Sequence, residues 1–236
     1  MKPQIAFLIL ALLMGVARAE TGRPKDISEA GRIRIDGQLN DWRNVAWTPL
    51  DKTLAGNPVN ISNAQWALQW DDEPSLYIAV RYDDSSIVLQ DHYMNSNAQD
   101  CVEIYVRGDT GSKPSDYSKQ QNSAQHYIFG LSKNKTAAWR TLAGMDRFPA
   151  HNPARVAVRL DGRTFTYEIM VPVYDKFDAK SRRRSETTEV YADLEIGVDI
   201  AIVDVGAKGF AGVMSENMLD GKERNANRIA EHTLGE

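Results

Sequence analysis

The chain has 236 residues, a formal net charge of -4 at pH 7 and a single cysteine. A mildly acidic chain lacks the basic footprint that nucleic-acid binding requires, one thiol excludes an internal disulfide, and the length suits one large all-β domain or two small ones.

The first predicted element is a targeting segment. Met1-Lys2 supplies a short positive start, Ile5 to Val16 is an apolar run, and Ala17-Arg18-Ala19 is a small-x-small site before Glu20. That is the layout of a secretory signal peptide over residues 1–19. The run falls short of the roughly 20 apolar residues that cross a bilayer. Cleavage removes Lys2 and Arg18 and takes the net charge from -4 to -6. An N-terminal tail over 20–31 and a domain over 32–236 complete the expected organisation. The expected protein is secreted or periplasmic, with no membrane span after cleavage.

Strand signals dominate the mature chain. Arg32 to Ile35 ends at the turn pair Asp36-Gly37. Leu39 to Trp47 has the only spacing, with Val173 to Phe177, that suits short helical turns. Gln65 to Trp70 and Leu76 to Tyr82 flank the polar stretch Asp71 to Ser75 and read as a hairpin. Further strands are expected over 101–107, 126–131, 137–142 and 156–160. Asp161-Gly162 leads into 164–171 as a second hairpin, and 195–205 is the last long run. In 101–107, Val102, Ile104 and Val106 share one face. In 195–205, Ile196, Val198, Ile200 and Ile202 do the same. Period-two alternation with one apolar face means strands packed on a core from one side. The expected fold is all-β: an antiparallel β-sandwich of about ten strands (jelly-roll or immunoglobulin-like) with few short helices. Leu89–Gln99 and Gly108–Ser123 are long polar loops, a feature that is functional or mobile in compact domains. The basic run Arg182 to Arg184 lies among Lys180, Glu186 and Glu189 and reads as a solvated loop. Cys101 reads as a small residue packed in a strand.

Five segments, in order, resemble the family 9 carbohydrate-binding modules and the wider superfamily that includes DOMON-type sandwiches. They are Ile35-Asp36-Gly37-Gln38-Leu39-Asn40-Asp41-Trp42; Ala67 to Asp72 followed by Leu76 to Val80; Gln99-Asp100-Cys101-Val102-Glu103-Ile104-Tyr105-Val106; Tyr167-Glu168-Ile169 with Val171-Pro172; and Ile196 to Ile200 with Asp204. The resemblance covers roughly Arg32 to Val205. It implies a β-sandwich whose activity is non-catalytic binding of a saccharide or polysaccharide, with an accessory role in polysaccharide degradation. It also implies that Glu103 is a sugar-binding acid and Gln125 a polar position on the ligand side. The family's arginine there is replaced by Tyr127. Its two clamp tryptophans are missing: Asn95-Ser96-Asn97-Ala98 stands where the first would be, and Gly212 to Glu236 contains no Trp, Tyr or Phe.

Sugar recognition needs a flat apolar surface for the C–H face of a ring and planar polar groups for its hydroxyls. Alternation puts Glu103, Tyr105 and Arg107 on the non-core face of one strand and Asp199 on that of another. These residues, with Gln125 and Tyr127, are expected to line a shallow groove, and Trp139 is added as a platform. Trp42 and Trp70 read as core. Asp71, Asp72, Asp83 and Asp84 are weak calcium candidates, since calcium takes six to eight oxygens, although Asp also favours turns. Haem b is a third reading, with Met94, Met145, Met170, Met214, Met218, His92, His126 and His151 as available ligands and no C-x-x-C-H motif. A hydrolase would need two carboxylates flanking the bond, and no other catalytic motif is present. The second reading is an adapter for an exported protein partner with no small ligand.

Overall fold

The structure, a computed structural model, describes residues 28–29, 33–71, 73–90, 98–108, 121–135, 137–142, 154–178 and 180–235. The expected signal peptide and nearly all of the tail lie outside them. No helix among them is long and apolar enough to cross a membrane.

The strands in chain order are β1 (Ser28–Glu29), β2 (Thr48–Pro49), β3 (Lys52–Gly56), β4 (Ile61–Trp70), β5 (Ser75–Asp84), β6 (Cys101–Arg107), β7 (Gln121–Asn122) and β8 (Ala124–Leu131). They continue with β9 (Ala137–Leu142), β10 (Arg155–Asp161), β11 (Thr164–Pro172), β12 (Tyr174–Asp178), β13 (Glu186–Thr187), β14 (Glu195–Gly206), β15 (Gly209–Ser215) and β16 (Glu231–Thr233). One sheet runs β1-β4-β5-β11-β10, with β2 on β4. The other runs β3-β15-β14-β6-β8-β9, with β16 on β14. A small sheet, β13-β12-β7, lies beside them. Pairing is antiparallel except between β1 and β4. The chain is therefore an all-β antiparallel sandwich.

The core explains the pairing. β14 lies on β6 with Val198 opposite Val106, Ile200 opposite Ile104 and Ile202 opposite Val102. These six side chains point at the other sheet, where Ile78, Val80, Phe165, Tyr167 and Ile169 meet them, all fully buried. The Tyr82 and Phe165 rings stack at 5.0 Å. Both expected hairpins form: β4–β5 across Asp71 to Ser75, and β10–β11 across Asp161-Gly162, where Gly162 has φ +60.

Two sequence expectations are corrected. Ile33 to Ile35 are not a strand. The backbone from Asp36 to Gln38 is instead hooked by Glu168 of β11, whose carboxylate accepts hydrogen bonds from the N–H groups of Asp36 (2.9 Å), Gly37 (2.5 Å) and Gln38 (3.1 Å). The same carboxylate accepts from the indole Nε1 of Trp42 at 3.0 Å. Trp42, in the 3-10 turn Leu39–Trp42, fills the slot left over Ala67 and Ala79. Val173 to Phe177 is also not helical: β12 occupies Tyr174–Asp178, because its backbone pairs with β7 and β13.

The Gln99-Asp100 motif is likewise structural. Asp100 accepts from the N–H of Val88 (2.5 Å) and Val205 (2.8 Å), tying the segment after β5 and the end of β14 to the start of β6. Burial, with the neighbouring Asp84 carboxyl, pushes its pKa up to about 8, and burial also raises that of Asp84. Asp204 holds the N–H and side-chain amide of Asn60 at 3.0 and 2.9 Å.

Candidate functional site

β6, β8 and β14 run side by side, so their outward residues form rows. Asp199, Tyr105 and His126 make one row, and Ala201, Glu103 and Ile128 the next. Tyr105 stacks on His126 at 4.2 Å with the planes 13° apart. The Tyr105 hydroxyl donates to Glu103, and His126 Nε2 lies 3.3 Å from the same carboxylate oxygen. A carboxylate, a phenol and an imidazole are thus held as one unit on the outer face.

The segment after β15 folds over one end of this face. Lys222 Nζ donates to Asp199 at 2.7 Å and to Ser215 Oγ, and it sits 5.5 Å from the centre of the Tyr105 ring. The geometry is that of a cation over an aromatic face. The Asn217 amide donates to the other Asp199 oxygen at 2.8 Å and to Arg228 O at 2.7 Å. Arg107 donates to Ala226 O at 3.2 Å and to Glu231 at 2.7 Å. Burial pushes the Asp199 pKa up to about 6, with Lys222 opposing it and Glu216 adding to it. Burial works against a charged His232, but Glu216 at 3.3 Å outweighs it, so the His232 pKa is raised. Asp199 and Arg107 are therefore withdrawn from water, while the Glu103 side chain in the next row is 11% exposed against 4% for His126.

Gln125 and Tyr127 do not join the Glu103 face, which corrects their expected place. Their positions oppose Val106 and Ile104, so both point into the inter-sheet core and are fully buried. The intervening residue, His126, takes the place on the outer face. Trp139 stands opposite Phe129 on the edge strand β9, and its side chain lies outside the described residues. Met94, Met145, His92, His151 and Asp72 lie outside them too.

Three of the four calcium candidates, Asp71, Asp83 and Asp84, are among the described residues. Asp71 accepts from the Tyr77 hydroxyl at 2.6 Å. Asp83 has its two oxygens taken by Thr164 (2.5 Å) and Asn63 (2.7 Å), hydrogen bonds that lower its pKa. Asp84 accepts from Ser86 N at 2.7 Å. Among the described residues no group of three or more His, Cys, Asp or Glu could hold a metal ion. Of the described haem candidates, His126 is stacked on Tyr105 in one sheet and Met170 is carried by β11 of the other.

Sequence does not single out His126, Lys222 or Asn217 for this site. His126 has a signal, since it alternates with Gln125 and Tyr127 in a strand that pairs with β6. Lys222 and Asn217 have none, because a polar loop does not reveal which strand it will cover.

A profile of the family described as carbohydrate family 9 binding domain-like matches residues 35–234. No match is found among curated proteins. Among solved structures, a family 9 carbohydrate-binding module from Caldicellulosiruptor kristjanssonii in complex with glucose superposes with a TM-score of 0.64 at 18% identity, covering 90% of this chain and 97% of that one. A module from the same organism in complex with cellotriose gives 0.61 at 19% identity, covering 89% and 94%. A putative carbohydrate-binding protein from Bacteroides uniformis gives 0.53 at 12% identity, covering 89% and 99%. At these identities the likeness is one of fold.

Proposed function

The chain belongs to the carbohydrate family 9 binding domain-like family, and from that premise we propose that it is an exported, non-catalytic module that binds a saccharide at the Glu103 end of its outer face. The observation that carries the reading is the coupled set Glu103, Tyr105 and His126. A carboxylate accepts two sugar hydroxyls at once, and hydrogen bonds to a charged acceptor are the stronger kind. Tyr105 and His126 hold that carboxylate in place on the outer face.

The relatives in complex with glucose and cellotriose support a glucose-containing saccharide as the first ligand to test. This chain has no Trp, Tyr or Phe beyond Phe210 to form a second clamp ring. Met218 and Leu219, both about half exposed, stand in the loop between Asn217 and Lys222 and offer apolar contact there. The Asp199–Lys222 and Arg107–Glu231 pairs serve to hold this loop and the following segment in place rather than to touch ligand. Binding is reversible, and no bond is made or broken. Calorimetric titration of the purified protein with glucose, cellotriose and soluble glucans tests the reading. Saturable heat with any of them supports it, and none from folded protein overturns it.

A further inference from the structure

The opposite face of the sandwich carries a groove. Across three adjacent strands, Arg81 of β5, Thr166 of β11 and Arg159 of β10 stand in one row. At about 4.8 Å between strands, the two arginine positions are about 10 Å apart. The next row is Asp83, Thr164 and Asp161. Arg81, Thr166, Arg159, Thr164 and Asp161 floor a groove of ≈ 340 Å³, walled by Gly37 to Asn40, with Asp83 just outside it. That wall is the segment hooked by Glu168, so it is held from below by hydrogen bonds.

The electrostatics of the groove are uneven. Asp83 is already committed to Thr164 and Asn63. Arg81 and Arg159 make no ion pair within 4 Å among the described residues. Arg159 is also positioned: its Cγ lies so close to Gly37 (φ +79) that a Cβ there would stand 2.8 Å away. A side chain at residue 37 would displace the arginine stem. Asp83 and Asp161 in the next row balance the two arginines in formal charge, so the positive part of the groove is the Arg81–Thr166–Arg159 row itself, where two guanidinium groups flank a threonine hydroxyl.

We propose that this groove is a second binding site, for a saccharide bearing carboxylates, such as a run of uronic-acid residues. The guanidinium fork matches a carboxylate with two parallel hydrogen bonds, and two forks across the groove engage two carboxylates of one chain. Thr166 and the polar edge of Gln38 and Asn40 offer partners for ring hydroxyls. A volume of this size is at the small end of ligand sites and suits a short oligosaccharide segment. The site lies on the other sheet from Glu103 and stands without that reading.

The test is calorimetric titration with a galacturonic-acid oligosaccharide, the neutral galactose oligosaccharide of equal length, and acetate. The wild-type chain, Glu103→Gln, Arg81→Ala and Arg159→Ala are compared. Both arginines are exposed, so unchanged thermal midpoints are expected and confirm that each variant is folded. The acidic oligosaccharide binds wild type and Glu103→Gln alike. It binds each arginine variant about tenfold or more weakly, the scale of a lost charge-assisted hydrogen bond, and its affinity falls with salt. Binding that survives both arginine substitutions, equal binding of the neutral sugar, or equal binding of acetate overturns the proposal.

Discussion

Lys222 Nζ lies 2.7 Å from Asp199 Oδ1, and both side chains are withdrawn from water. One charge comes from the middle of a core strand and the other from a loop that sequence marks only as polar. Together they fasten the segment after β15 across the ligand-side sheet. Such a pair is weak evidence for net stability, because desolvation offsets attraction, but breaking it from one side is costly.

Lys222→Ala therefore destabilises the fold by about 3–5 kcal/mol, since it leaves a buried carboxylate without its cation. The double variant Asp199→Leu with Lys222→Met recovers most of that loss. Urea denaturation of the three proteins checks the pair.

The Asp84–Asp100 pair gives a pH dependence of opposite sense to that of a salt-bridged acid. The Asp100 pKa rises from 3.8 to about 8 in the fold. The folded state thus binds a proton that the unfolded chain has released, and stability falls as pH rises between those values. The contribution is fully present below pH 3.8 and lost by about pH 8. Asp84→Asn removes the neighbouring charge and flattens the decline between about pH 6 and 8, measured as the thermal midpoint against pH.

Glu168 gathers Trp42 and three backbone N–H groups on one carboxylate. Glu168→Ala leaves these donors unmatched and costs on the order of 3 kcal/mol or more. Trp42 then loses its fixed partner, so its fluorescence shifts before global unfolding. Equilibrium denaturation followed by circular dichroism and by tryptophan emission reads both effects.

The legible parts of the fold are the strands with one wet and one dry face in sequence. In β6 and β14 the alternation assigns Val102, Ile104, Val106, Val198, Ile200 and Ile202 to the core correctly. β8 is harder, because polar and apolar residues do not alternate along Ala124 to Leu131 and the period-two signal is absent from its sequence. The family resemblance puts Gln125 and Tyr127 on the ligand side, while the pairing of β8 with β6 turns His126 there instead. Asp36-Gly37 and Trp42 are legible as a motif but not as a hook on Glu168, which is 126 residues from Trp42. Long-range polar contacts of that kind depend on which strands meet, and local pattern does not encode that. The Arg81–Thr166–Arg159 row is invisible in the sequence for the same reason.

Glu103 stands at the centre of the account as the hydroxyl-binding carboxylate of a saccharide site. The most direct measurement is the affinity of the wild-type chain and of Glu103→Gln for cellotriose, by calorimetry. Glu103→Gln keeps the side chain's shape but loses its charge. The account predicts saturable binding by the wild type and a loss of about 10- to 100-fold in the variant, the scale of one charge-assisted hydrogen bond. Equal affinity in the two proteins contradicts the assignment of Glu103, and no binding by either contradicts the glucose-containing ligand.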